Sequence, residues 1–220
     1  MVDRWRARLA LILLVWAPLC VQGKDTLERG PHAVVEEATS ALLVVIQQGR
    51  SYFDEDPERF YVEVASTLDP IMDFERFARS VMAVYAKRAT PAQRERFAES
   101  FKWGLVRTYA KALLSFDNEV IRVLPPDGKA RRRPDRERVK MAVVSTSGAI
   151  FPVEYSMVLE KDGQWRLRNV IINGINLGLV YRDQFAEAMR DRENQGDIDL
   201  VIDHWSVGAA VDTATEGADQ

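Results

Sequence analysis

Large apolar residues change their spacing once near residue 118 and change back near residue 176, and this constrains the fold more than any other feature. Between residues 97 and 113 they step by four, as Phe97, Phe101, Leu105, Tyr109 and Leu113. Beyond Ser115 they alternate: Phe151, Val153, Tyr155, Met157 and Leu159 are separated by Pro152, Glu154, Ser156 and Val158. A step near 3.6 is one stripe of a helix and a step of 2 is one face of a strand, so neither segment can serve as the other element. The chain reads as helices, a sheet beginning near Asn118, and helices again after Asn176. This is an α+β fold whose sheet has an apolar face that must be covered.

Local signals mark the elements. Val34, Val35, Ala38, Leu42, Val45 and Ile46 form the stripe of a first helix ending near Gly49. Asp56-Pro57 and Thr90-Pro91 each pair an N-cap with a first-turn proline, and Gln93 completes a capping box with Thr90. Four antiparallel strands are expected, at Val120–Leu124, Arg138–Thr146, Ala149–Lys161 and Gln164–Ile172, with turns at Ser147-Gly148 and Asp162-Gly163.

The N-terminus has the form of an export signal. Arg4, Arg6 and Arg8 precede the apolar run Leu9 to Leu19, and Val21-Gln22-Gly23 supplies a site for cleavage after Gly23. The run is shorter than the ~20 residues a membrane span needs and is broken by Pro18. Leu19 is too large for the residue before a lipidated cysteine. Removing residues 1–23 takes away three arginines and Asp3, so the formal net charge of −3 becomes −5. The sole cysteine, Cys20, leaves with the signal, so stability in an oxidising compartment rests on packing rather than disulfides. The remainder is expected to form one domain over residues 24–206, helical over about 31–117 and sheet plus C-terminal helices over about 118–206. The small and acidic stretch 207–220 reads as a disordered tail.

The junction from strand to helix is the most informative segment for function. Trp165 begins an apolar strand that passes through Asn173-Gly174 into a helix capped by Asn176, on which Leu177, Val180, Tyr181, Phe185 and Met189 share a stripe. After Gly196, a helix stop, Ile198, Val201, Ile202 and Trp205 repeat the pattern. Trp165, Asn173-Gly174, Tyr181-Arg182, Gln184-Phe185 and Gly196 together resemble the C-terminal signature of the MlaC family of periplasmic phospholipid-binding proteins, also called the toluene-tolerance family. Upstream, Asp73-Phe74, the run Ala89 to Arg94, Phe97, Phe101 and Tyr109 resemble that family's central helices, so the likeness covers roughly residues 35–206. Ala83 and Ala86 depart from it, standing where a glycine and an aromatic residue are expected.

Periodicity alone does not separate a packed core beneath the helices from a deep slot lined by Phe101, Tyr109, Tyr155 and Met157; the resemblance favours the slot. Two acyl tails carry roughly 28 methylenes, and at about 0.8 kcal/mol each their exposure to water costs more than ~20 kcal/mol. A carrier of this family would bury the tails and leave the headgroup in solvent. The expected tail-contacting residues are Phe101, Leu105, Tyr109, Val143, Phe151, Val153, Tyr155, Met157, Leu167, Ile171, Leu177 and Tyr181, with Val170 and Ile172 as the alternates to Ile171 on the last strand. Arg182 is the expected headgroup or membrane contact. The resemblance further implies a sheet curved as in nuclear-transport-factor-like cones. It also implies partners in an outer-membrane lipoprotein-porin complex and an inner-membrane ABC lipid transporter, and no cofactor.

Charge adds a second motif. Lys129, Arg131, Arg132, Arg133, Arg136, Arg138 and Lys140 cluster around the first hairpin, diluted by Asp127, Asp135 and Glu137. The plain reading is a solvated hairpin; the sharper one is transient contact with an anionic lipid surface or an acidic partner. Nucleic acid is a poor partner for an exported acidic chain. Catalytic patterns are missing: His32 and His204 lack zinc-type spacing, no phosphate-cradling glycine loop occurs, and Asp54, Glu55 and Asp56 suit a turn and cap. Two rivals remain, a small-molecule isomerase using Glu154 as an inward carboxylate and a protein-binding adaptor with a filled core.

Overall fold

The computed structural model describes residues 29–114, 120–128 and 133–207. The expected signal peptide, the expected tail beyond Val207, the helix-to-sheet boundary at Asn118, and Lys129, Arg131 and Arg132 lie outside the described residues.

Four helices come first: α1 (Pro31–Gly49), α2 (Pro57–Leu68), α3 (Phe74–Met82) and α4 (Pro91–Leu113), with a short 3-10 helix, Ala83–Lys87, between the last two. The sheet follows as β1 (Val120–Val123), β2 (Arg136–Val144), β3 (Ile150–Leu159), β4 (Trp165–Ile172) and β5 (Ile175–Asn176), and the chain ends in α5 (Leu177–Ala188) and α6 (Ile198–Asp203). None of the described helices is long and apolar enough to cross a membrane.

Each expected cap forms. Asp56 accepts from the Arg59 amide at 3.1 Å and opens α2. Thr90 and Gln93 exchange a full capping box, at 3.2 and 2.8 Å, that starts α4. Asn176 accepts from the Leu179 amide at 3.1 Å and starts α5. These bonds satisfy donors that the first helical turn otherwise leaves unpaired. Gly49 closes α1 where a Cβ would stand 2.4 Å from the Phe60 ring, so only glycine lets α1 approach α2 this closely.

The sheet is fully antiparallel in the order β1-β2-β3-β4-β5, five strands where the sequence predicts four. The extra strand has a local cause. Asn173 and Gly174 both take positive φ, 52° and 83°, which is the type I′ geometry that returns a chain directly onto its partner strand. Ile175 therefore pairs with Ile172 before α5 begins.

A second difference concerns register. Ser156 lies opposite Asn169 while Met157 lies opposite Leu167, so Arg168 is an extra, bulged residue. A one-residue bulge reverses the side-chain alternation beyond it. Leu167 faces the helices, but after the bulge that role passes to Val170 and Ile172, which pack with Val153 and Tyr155. Ile171 is opposite Glu154 on the other face, so the helix-facing positions here are the alternates Val170 and Ile172.

Apolar side chains gather in three clusters. The largest joins α3, α4, α5 and α6 to one end of the sheet through Phe77, Phe97, Phe101, Val139, Met157, Tyr181 and Phe185. A second binds α1, α2 and α4 through Ile46, Phe60, Val64 and Val106. The third, Met141, Val143 and Val153, belongs to the sheet itself. Val207, expected to begin the tail, packs on α4 at Gly104, and its carbonyl accepts from the Thr108 hydroxyl at 3.3 Å.

Candidate functional site

The helix-facing side of the sheet has two ends of different character. At one end Val139, Met157 and Leu167 are closed off by α3, α4 and α5. There Phe101 stacks on Phe97 at 5.8 Å and meets Phe77 and Tyr181 edge-on, both at 5.3 Å. Edge-to-face rings with no accessible surface make a packed core, in which Phe101, Met157 and Tyr181 are filled in by their neighbours. Leu105, Leu167 and Leu177 are buried in the same cluster.

At the other end Met141, Val143 and Val153 are surrounded by Ile121, Val123, Phe151, Tyr155, Val170 and Ile172, all only half-buried. α1 crosses this region, its Thr39 hydroxyl pointing to the Met141 sulfur at 3.9 Å. Tyr155 sits between the two ends. Its hydroxyl has the Met141 sulfur at 4.0 Å as partner, a weak acceptor. Burial pushes the phenol up to about 12, because the phenolate would lose its hydration. Yet the residue is only half-buried. Tyr155 thus differs from Phe101 and Met157 at the closed end: it is deep among apolar groups but only half-buried.

Tyr109, near the end of α4, is half-buried and shares a short hydroxyl–hydroxyl hydrogen bond with Tyr181. Burial first and this bond second raise the Tyr181 phenol far above its ordinary range, so it acts as the neutral hydrogen-bonding end of an otherwise apolar ring. Thus Val143, Phe151, Val153 and Tyr155 gather at the less covered end of the sheet and Tyr109 rests half-buried against the main cluster, whereas Phe101, Leu105, Met157, Leu167, Leu177 and Tyr181 belong to the packed core of that cluster. Sequence reasoning passed over Ile121, Val123 and Thr39, whose places depend on how β1 and α1 lie over β2. Arg182 is exposed on α5, 3.5 Å from its neighbour Asp183.

Glu154 lies on the far side of the sheet, paired with Arg138 at 3.1 Å, and does not face the helices. Among the described residues no group of three or more His, Cys, Asp or Glu side chains is arranged to hold a metal ion. Two clefts open to solvent lie elsewhere, one lined by Glu95, Arg96, Glu99 and Asp203, the other by Gln184, Asn194, His204 and Trp205. Most of the side chains lining each cleft are charged or polar.

Residues 36–207 match the family model described as MlaC protein. The chain belongs to the MlaC family. Among relatives of known description, it is 38% identical over 200 residues to the toluene tolerance protein ttg2D of Pseudomonas putida, covering 89% of this chain and 87% of that one. It is 22% identical over 152 residues to the intermembrane phospholipid transport system binding protein MlaC of Haemophilus influenzae, covering 68% of this chain and 70% of the relative. In fold it is similar to a phospholipid-binding protein from Ralstonia solanacearum solved in complex with a phospholipid. That likeness has a TM-score of 0.69 at 22% identity, with 86% of this chain and 98% of that one covered. One departure from the MlaC pattern has a structural counterpart. Ala83, where the resemblance leads one to expect glycine, holds φ 50° and ψ −120°, a conformation that a Cβ disfavours.

Proposed function

We propose that this chain is a periplasmic phospholipid carrier that shelters acyl tails in the recess between α1, α4 and the sheet, and carries them between the outer and inner membranes. The observation that bears most weight is Tyr155, deep among apolar groups yet not sealed. An apolar recess left accessible is costly for a protein that has no use for it, and tails entering it would remove that cost along with their own. The Haemophilus relative's name and the phospholipid bound to the Ralstonia protein support the same reading. Tyr109, Val143, Phe151, Val153 and Tyr155, with Val170 and Ile172, are the groups we assign to the tails. Arg182, exposed one residue past Tyr181, is assigned to the headgroup. An outer-membrane lipoprotein-porin complex and an inner-membrane ABC transporter would supply and receive the cargo.

The isomerase alternative loses its candidate carboxylate, because Glu154 is on the opposite face of the sheet. To test the carrier reading, the mature protein is purified from its native compartment, extracted with organic solvent and weighed by mass spectrometry. Stoichiometric phospholipid is expected. Folded protein that yields none, and takes up none from vesicles, would leave the adaptor reading ahead.

A further inference from the structure

The side of the sheet turned away from the helices is an exposed surface with an unusual charge for this chain. Register places Arg122 on β1, Arg136, Arg138 and Lys140 on β2 and Arg166 on β4 on that side, with Glu154 the carboxylate among them. Arg122, Arg136, Arg138 and Lys140 are exposed. Arg138 is paired with Glu154, Arg166 with Asp162 and Arg136 loosely with Asp135, whereas Arg122 and Lys140 make no ion pair with any described residue. The whole chain has a net charge of −3, so this cationic face is a local inversion. Next to it runs a cross-strand apolar row, Val120, Val144 and Ile150, continued by Ala142 and Pro152. Ile150 is 64% exposed and Val120 44%. No described residue on this face of the strands is aromatic.

We propose that this outer sheet face docks the protein reversibly on an anionic phospholipid bilayer. Cations set among short apolar side chains suit a surface where headgroup phosphates lie directly above acyl chains. A protein partner would be met by aromatic anchors, and the described strand residues on this face include none. Binding here is independent of the recess, which opens on the other side of the sheet, so it does not rest on the carrier reading. Docking would hold the protein at a membrane surface without occupying the space assigned to cargo.

The test is flotation of the full mature chain with vesicles of phosphatidylcholine alone, or with about a quarter phosphatidylglycerol, at low and at physiological salt. Binding to the anionic vesicles only, weakened by salt, is expected. The double variant Arg122→Gln, Lys140→Gln should bind about 30-fold more weakly, from about fivefold per basic residue, while retaining its circular dichroism and its urea midpoint. Ile150→Asp should weaken binding at every salt concentration. Equal binding to neutral vesicles, or an unchanged double variant, would overturn the proposal. So would capture by an acidic protein partner that depends on Arg122 and Lys140 while vesicles are ignored.

Discussion

Tyr155 is held by sulfur where most buried tyrosines meet oxygen, and this makes it the sharpest probe of the recess. Tyr155→Asp puts a carboxylate where tails are proposed to lie but where some accessible surface remains. We expect the variant to stay folded and to lose its extractable phospholipid. Leu105→Asp, in the closed core, should instead abolish the cooperative unfolding transition, because a charge there has no partner and no water. Alkaline pH gives a second reading. Burial lifts the Tyr155 phenol from 10 to about 12, so the folded state keeps its proton longer than the unfolded one. The associated stability is complete below pH 10 and is lost as pH rises through about 12. Tyr155→Phe should therefore lower the urea midpoint less steeply than wild type over that window. At Ala83 the expectation is a gain: Ala83→Gly relieves the positive-φ strain and should raise unfolding free energy by about 1 kcal/mol.

Among the elements, the strand-to-helix junction shows how much a short segment can organise. The Asn169 side chain donates to Asn176 Oδ1 at 2.9 Å and accepts from the Gly178 amide at 3.0 Å, fastening β4 to the first turn of α5. A Cβ at residue 178 would stand 2.6 Å from Asn169 Oδ1, so a glycine is needed for this clasp. Asn169→Ala should cost about 1–2 kcal/mol in urea unfolding and speed hydrogen exchange at the Gly178 amide, since a partly buried donor loses its acceptor. The caps at Asp56, Thr90 and Asn176, and the turn at Asp162-Gly163, were all legible in the chain because each is set by residues a few positions apart. The bulge at Arg168 was not. Its side chain pairs with Glu160 and reaches Asp73, the N-cap of α3, at 3.6 Å, and Arg76 also joins Glu160 at 3.2 Å. No pattern within β4 announces partners drawn from the end of its own hairpin and from a helix, and so the alternation alone did not decide between Ile171 and its alternates Val170 and Ile172.

For the molecule as a whole, the closed core of α3, α4, α5 and α6 holds the fold together while the sheet's other end stays incompletely covered. A ligand that fills that end binds the folded state alone and stabilises it by mass action, about 4 kcal/mol when present at about a thousand times its dissociation constant. Delipidated protein should accordingly melt at lower temperature than protein as purified, and added phospholipid should restore the difference in a calorimetric scan. Equal melting with and without lipid would count against an accessible recess. By itself the sequence determined the order of helices and strands, their caps and turns, and which face of each helix is apolar, because those follow from spacing and from side chains bonding to nearby backbone. It left open whether Phe101 and Tyr155, alike in pattern, fill a core or line a hollow. Only the tertiary structure decided that Phe101 is fully enclosed, by Phe77, Phe97 and Tyr181 among others, and that Tyr155 is half-buried, because closure depends on how segments far apart in the chain come to rest against one another.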